Sequence, residues 1–193
     1  MNKIVFFTNR MTKGGSERVI SYLANGLCER YCVDIVTMTS APSDYELSEK
    51  VKHVPMETGR AKNNHSLITN YKRLQNLKRY ISENENATFI SFVTLPSYIL
   101  LWFRKRIKGK LIVTVRNDPK ASHCHFYDKW FVKHLYPKAD GMVFQTKEAQ
   151  NYYEDIKVKN PVILPNPLNE KFDKLPYTNG GVLVDTKLSM LAG

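Results

Sequence analysis

Short, β-rich apolar runs alternate with helix-length amphipathic stretches along most of the chain, and the runs lack the strict apolar and polar alternation of a sheet that faces water. Lys3 to Thr8 (KIVFFT) is the first run. After the polar loop Asn9 to Gly15 a helix is expected, with Ser16 at its N-cap and Val19, Ile20, Leu23, Ala24 and Leu27 recurring at helical spacing to about Tyr31. Cys32 to Met38 (CVDIVTM) returns to strand. The pattern predicts further strands at Val51 to Met56, Thr88 to Val93, Lys110 to Arg116, Gly141 to Thr146 and Val162 to Pro165. The intervening helices are expected at about Ser66 to Glu83, Ser97 to Arg106, His125 to Tyr136 and Lys147 to Asp155, the last with Thr146 as its cap. Parallel strands need helical crossovers and are buried on both faces, so this order predicts an α/β fold with a doubly wound, mostly parallel sheet.

At 193 residues the chain exceeds one typical domain of roughly 150 residues and falls short of two. Beyond Phe172, Leu175 to Gly181 (LPYTNGG) is rich in turn formers, and Val182 to Gly193 has no partner unit. Residues 1–172 are therefore expected to form one domain, and 173–193 a linker with the truncated start of a second. The 29 Lys and Arg against 18 Asp and Glu leave a net charge of +11 on a composition too apolar, at 42%, for a disordered basic tail. That surplus favours an anionic partner: a phosphorylated ligand, an anionic lipid surface or nucleic acid. Cys28, Cys32 and Cys124 lack framework spacing, and the start MNKIVFF lacks the features of a secretory signal, so the reading is cytosolic and reduced. The most apolar stretch, Ile90 to Phe103, is interrupted by Ser91, Thr94, Pro96 and Ser97 and falls short of the roughly 20 residues of a membrane span.

Ligands of doubly wound sheets sit outside the carboxyl ends of the strands, so the loops after the strands carry the chemistry. Asn9 to Ser16 (NRMTKGGS) offers two glycines that let backbone approach a ligand, and a helix start that favours an anion; a tight strand-to-helix turn explains the same glycines. It is neither the G-x-G-x-x-G dinucleotide fingerprint nor a phosphate loop ending in G-K-[ST], because Lys13 precedes the glycines. Arg116, Asn117 and Asp118 form a second cluster before Pro119, suited to a sugar hydroxyl or phosphate, or to an Asx turn with a surface ion pair. Pro165 and Pro167, flanking Asn166, make a stiff extended exit from the last strand. His123-Cys124-His125 lacks the paired spacing of a metal site, and no G-x-S-x-G nucleophile is present.

Two basic stretches account for the charge. Arg60 to Tyr80 holds Arg60, Lys62, Lys72, Arg73, Lys78 and Arg79 without an acidic residue, with Leu67, Tyr71, Leu74, Leu77 and Ile81 as an expected apolar face. Trp102 to Lys110 (WFRKRIKGK) sets a Trp and a Phe beside Arg104, Lys105 and Arg106. Both suit the headgroup region of an anionic bilayer, and both equally suit helices that cover a sheet with a solvated cationic face.

Taken together the chain resembles the N-terminal half of bacterial retaining glycosyltransferases of the GT-B fold, glycosyltransferase family four. Gly14 to Val19 (GGSERV) looks like that family's GG-x-E-R loop and helix; Phe92 to Pro96, Val115 to Pro119, Ala139 to Thr146 and Val162 to Pro167 follow in the family's order, covering about residues 1–172. The resemblance implies a Rossmann-like acceptor-binding domain, one half of a two-domain enzyme that moves a sugar from a nucleotide-sugar donor to a glycan acceptor that is often lipid-linked. It implies Gly14, Gly15 and Ser16 as the donor-diphosphate loop, Arg116, Asn117 and Asp118 facing the cleft, and Arg10, Thr94, Gln145 and Asn166 beside acceptor. Lys72, Arg73, Lys78, Arg79, Arg104, Lys105 and Arg106 would face the membrane. Many members carry a histidine at about the Arg116 or Asn117 position; the Arg-Asn form here looks more like the subset that builds surface polysaccharides. The family's C-terminal domain carries the paired-glutamate motif, and nothing after Tyr177 matches that domain's opening strand, so the chain alone is expected not to turn over. No metal or other cofactor is expected, the nucleotide sugar being a co-substrate, and the place of work is the cytoplasmic face of the membrane. A non-catalytic module for an anionic ligand or membrane is the alternative; nucleic acid is disfavoured, because no recognition motif is present and the cations sit beside apolar neighbours.

Overall fold

The computed structural model describes residues 2–57, 67–116, 119 and 126–165, with Phe126 and Tyr127 described in backbone only. Among the described residues seven strands form one sheet: β1 (Lys3–Thr8), β2 (Cys32–Thr37), β3 (Val51–Pro55), β4 (Thr88–Phe92), β5 (Leu111–Val115), β6 (Gly141–Phe144) and β7 (Pro161–Ile163). Their order is β3-β2-β1-β4-β5-β6-β7 and every pair is parallel. The helices are α1 (Gly15–Leu27), α2 (Leu67–Glu83), α3 (Thr94–Trp102), α4 (Phe126–Leu135) and α5 (Lys147–Asn151). The expected order of strands and helices holds, β2 and β3 being joined without a helix, and the sheet is parallel throughout.

Each strand points successive side chains to opposite faces, and on the five inner strands both faces are buried. From β1, Ile4 and Phe6 join Val19, Ile20 and Ala24 of α1 in one core. Val5 and Phe7 join Leu77 and Ile81 of α2, Leu100 and Leu101 of α3, and Val132 and Leu135 of α4 in the other. This division follows from handedness: right-handed crossovers put a helix on one face when the chain winds from β1 towards β3, and on the other when it winds from β4 towards β7. The reversal falls between β1 and β4, so the crevice of a doubly wound sheet lies at their carboxyl ends. The outer strands are blunted against further pairing, β7 by Pro161 at its start and β3 by Lys52 and the terminal Pro55.

Two buried polar contacts tie α2 to the sheet. Asp34, in the middle of β2, accepts from the Tyr80 hydroxyl and pairs with Lys3 Nζ at 2.7 Å. Arg73, 6% exposed, pairs with Glu57 at 2.9 Å, and Ser40 N–H donates to the second Glu57 oxygen at 3.1 Å. Burial pushes the Glu57 carboxyl up, but the Ser40 amide and the Arg73 guanidinium outweigh it and hold the group below its ordinary value.

Two helices differ from the sequence reading at both ends. The first helix begins at Gly15 and is capped by the extended Gly14 rather than by Ser16, which lies in its first turn; it ends at Leu27, not near Tyr31. The helix expected from Ser97 begins at Thr94, because Pro96 falls in the first turn where its missing N–H removes no intrahelical bond. It stops at Trp102, and Arg104–Arg106 form a separate 3₁₀ turn. The predicted Thr146 cap is present, its hydroxyl accepting from Ala149 N–H at 3.2 Å. No helix among the described residues is long and apolar enough to cross a membrane.

Candidate functional site

The loop between β1 and α1 is held from outside its own sequence neighbourhood. Asp44 Oδ2 accepts from Lys13 N–H at 2.9 Å, and Asp44 N–H donates to the Met11 carbonyl at 2.9 Å. The Tyr45 hydroxyl accepts from Gly14 N–H at 3.0 Å and donates to the Gly14 carbonyl at 2.6 Å. That carbonyl also accepts the first helical bond, from Arg18 N–H at 3.1 Å. A side chain at Gly14 would collide with the Glu17 carboxylate at 2.2 Å, whereas one at Gly15 would meet nothing within 4 Å. Gly15 therefore fronts open space at the positive end of α1.

The neighbouring strand exit is strained. Val93 adopts φ 62° and ψ 166°, a region used almost only by glycine, and it turns the chain sharply from β4 into α3. Buried hydroxyls hold the turn: Ser97 Oγ donates to the Val93 carbonyl at 2.7 Å and sits 2.9 Å from Ser91 Oγ, while Thr114 Oγ1 donates to the Ser91 carbonyl at 2.9 Å. Val93→Gly is expected to raise stability by about 1 kcal/mol, strain relief of about 1–3 kcal/mol exceeding the added chain entropy of glycine. Urea unfolding of the two proteins measures it, and a loss of stability would mean that the Val93 side chain contributes more than its backbone costs.

Arg116 leaves β5 on the α1 side of the sheet and stacks its guanidinium 5.2 Å from the centre of the Phe92 ring. Burial lowers its pKa to about 10, so it stays cationic at neutral pH. Thr8, the fully buried last residue of β1, faces the same side by strand alternation, and its hydroxyl has no hydrogen-bond partner among the described residues. Arg10 is exposed after β1, Thr94 opens α3, and Gln145 is half-buried after β6. The parallel sheet thus puts Arg10, Gly14, Gly15, Ser16, Thr94, Arg116 and Gln145 at one end, the carboxyl end, on both sides of the winding reversal. Asn117, Asp118 and Asn166 lie outside the described residues, as does His123-Cys124-His125. Two open cavities of about 570 and 420 Å³ lie at the opposite pole, sharing Lys110, and gather none of these residues.

The basic residues divide. Arg73 is not on a membrane-facing surface: it is buried against Glu57. Arg104 grips Asp140 through both carboxylate oxygens at 3.0 and 2.8 Å, also reaching the Lys138 carbonyl, and serves as a clamp between the 3₁₀ turn and the start of β6. Arg79 pairs with Glu83 on its own helix at 2.9 Å and is exposed, as are Lys72, Lys105 and Arg106, while Lys78 is half-buried. Nor is the expected apolar face of α2 continuous. Leu77 and Ile81 are buried, but Leu67 (87% exposed), Ile68, Tyr71 and Leu74 stand in solvent. Trp102 is 69% exposed at the end of α3.

Sequence reasoning missed Asp44 and Tyr45 altogether. They sit in the connection between β2 and β3, about thirty positions from the loop they hold, and a polar connector carries no periodic signal.

The sequence matches the Glycosyltransferase Family 4 profile over residues 13–172. It is 26% identical over 168 residues to a Campylobacter jejuni protein, GalNAc-alpha-(1->4)-GalNAc-alpha-(1->3)-diNAcBac-PP-undecaprenol alpha-1,4-N-acetyl-D-galactosaminyltransferase; the alignment takes in 86% of this chain and 46% of that protein. The chain thus spans about half the length of this curated relative. Among solved structures, sucrose-phosphate synthase from Thermosynechococcus elongatus superposes with a TM-score of 0.64 at 12% identity, over 99% of this chain and 97% of that one. Anabaena HepE, in complex with UDP and glucose, gives 0.63 at 9% identity over 89% and 46%, and a Rickettsia africae glycosyltransferase 0.60 at 16% over 90% and 48%. These likenesses carry the fold, and the profile match, which begins one residue before the Gly14-Gly15 loop, carries the family: the chain belongs to glycosyltransferase family 4.

Proposed function

We propose that the chain is the acceptor-binding, N-terminal half of a retaining glycosyltransferase that moves a sugar from a nucleotide donor to a lipid-linked glycan in surface polysaccharide synthesis. The observation that carries this reading is the placement of the family's glycine loop at the winding reversal, across from Arg116. Gly14, Gly15 and Ser16 approach the donor diphosphate, where the free end of α1 favours negative charge. Arg116 supplies a fixed cation beside the developing charge, and Arg10, Thr94 and Gln145, with Asn117, Asp118 and Asn166, line the acceptor side. The chemistry needs no metal ion or other cofactor, the nucleotide sugar entering as substrate. The work is done at the cytoplasmic face of the membrane. There the exposed Leu67, Ile68, Tyr71 and Leu74 enter the headgroup layer while Lys72 and Arg79 meet anionic lipid. Lys105 and Arg106 beside Trp102 add a second contact. The relative that acts on an undecaprenol-diphosphate glycan supports the acceptor class.

Vesicle cosedimentation with anionic lipid, with and without a polyprenyl-diphosphate-linked glycan, tests both parts. The glycan should strengthen binding, and Arg116→Ala should abolish that gain while leaving binding to plain vesicles intact. Reversing Lys72 and Arg106 together should weaken binding to both by about tenfold or more, since each nearby cation is worth about 1 kcal/mol. No gain from the glycan overturns the acceptor assignment; equal binding to neutral vesicles overturns the membrane assignment.

A further inference from the structure

Gly14 is committed on both of its polar groups. One hydroxyl, that of Tyr45, accepts from its N–H at 3.0 Å and donates to its carbonyl at 2.6 Å, and the same carbonyl accepts from Arg18 N–H at 3.1 Å. Two consequences follow. The Gly14 amide is not available to a ligand, so the amides that can be presented at the start of α1 are those of Gly15, Ser16 and Glu17. The second concerns direction: with its carbonyl held along the helix, the following trans peptide points the Gly15 N–H the opposite way, out of the helix end. There a side chain at Gly15 would meet nothing within 4 Å. The neighbouring backbone is fixed by the same connection, through Asp44 to Lys13 and Met11. The Tyr45 ring packs against the α1-side core and is held in turn by Ser43, whose hydroxyl bonds the Tyr45 backbone at both its N–H and its carbonyl.

We infer that Tyr45 is a positioning residue for the diphosphate of the donor, setting the direction of the Gly15 N–H through the Gly14 peptide without itself touching the ligand. The inference rests on the reading of Gly14 to Ser16 as the diphosphate loop. Preorganisation is the physical content: a peptide plane already aimed at the anion loses little freedom when the anion arrives, while an unclamped glycine pair, the most conformationally free dipeptide there is, must be ordered at that moment.

The test is a titration of the isotope-labelled full chain with inorganic pyrophosphate and with UDP, followed at the backbone amides, for wild type and Tyr45→Phe. The substitution removes one oxygen and keeps the ring in its packing, so the thermal midpoint should stay within experimental scatter. Gly14 N–H should exchange with solvent faster, and both ligands should bind about tenfold more weakly, the change expected when an oriented donor to a charged group is released. Asp44→Ala, which frees Lys13 N–H but leaves the Gly14 clamp, should weaken binding less. Equal affinity in wild type and Tyr45→Phe overturns the positioning role while leaving the diphosphate loop standing. If wild type shows no response at Gly15 and Ser16, the diphosphate loop itself is refuted, and the role of Tyr45 with it.

Discussion

Replacing Asp34 by alanine is expected to lower stability by about 3–5 kcal/mol, the range for removing one partner of a buried charge pair. Asp34 is 1% exposed and stands between two groups that have no other anion among the described residues: Lys3 Nζ at 2.7 Å and the Tyr80 hydroxyl. Lys3 is further fixed by Asn84 Oδ1 at 2.8 Å and by the face of the Tyr80 ring, 5.6 Å from its centre. Burial first, then the Asp34 carboxylate, pushes the Tyr80 hydroxyl far above its usual pKa, so it remains a donor across the accessible pH range. Alanine would leave that donor buried and unpaired and an ammonium only partly able to reach water. Against a typical total of about 5–15 kcal/mol, such a loss is a large fraction of what holds the fold. Urea unfolding measures it. Asp34→Asn, which keeps an acceptor for Tyr80, should lose less, and adding Tyr80→Phe to Asp34→Ala should restore part of the loss. A cost below about 1 kcal/mol for Asp34→Ala, no more than an exposed pair contributes, would show that the Asp34 contact does not help to hold α2.

Gly109→Ala is expected to cost about 3 kcal/mol, the upper end of overpacking penalties. A Cβ there would lie 2.1 Å from the Ala87 carbonyl oxygen and 2.7 Å from that of Asn86. Both are backbone, in the turn that leads into β4, and cannot swing aside as a long side chain can. The two turns are also bonded to each other, Lys108 N–H and Gly109 N–H both donating to the Glu85 carbonyl at 2.7 and 2.8 Å, so any displacement pulls on those bonds. Because Phe89 pairs with Leu111 just beyond, the register of β4 on β5 begins at this contact. Gly15→Ala is the internal control: with nothing within 4 Å and a helical position, it should be neutral or slightly stabilising. Equal costs at both positions would mean that the close approach of the turns carries no energy.

Much of the sheet was legible because its inner strands are buried on both faces, which leaves apolar runs such as KIVFFT and CVDIVT. Gly14, Gly15, Ser16, Thr94, Arg116 and Gln145, among the residues that the family motifs single out, follow the carboxyl ends of their strands in that order. Pro96 concealed the start of α3, since a proline that ends most helices is harmless in a first turn. The destiny of cations was less readable. Arg73 and Arg79 lie six positions apart on one basic helix, yet one is buried against a carboxylate from before that helix and the other is in solvent. Leu67 and Ile81 likewise share a periodic stripe of that helix but not an environment: the packed sheet lies under only the later turns. Periodicity reports which residues share a side of a helix, not whether anything covers it.

The placement of β1 between β2 and β4 bears on how the protein is made. β2 and β3 follow β1 closely in the chain, but its other neighbour, Thr88–Phe92, comes some eighty residues later. A chain emerging from the ribosome can zip β1, β2 and β3 together and yet hold the other edge of β1, from Ile4 to Phe7, unpaired until the whole of α2 has been synthesised. This strand, buried from Ile4 to Thr8, therefore waits long for its second partner, and the interval when it is open to a second nascent chain is set by the rate of translation rather than by the stability of the finished sheet.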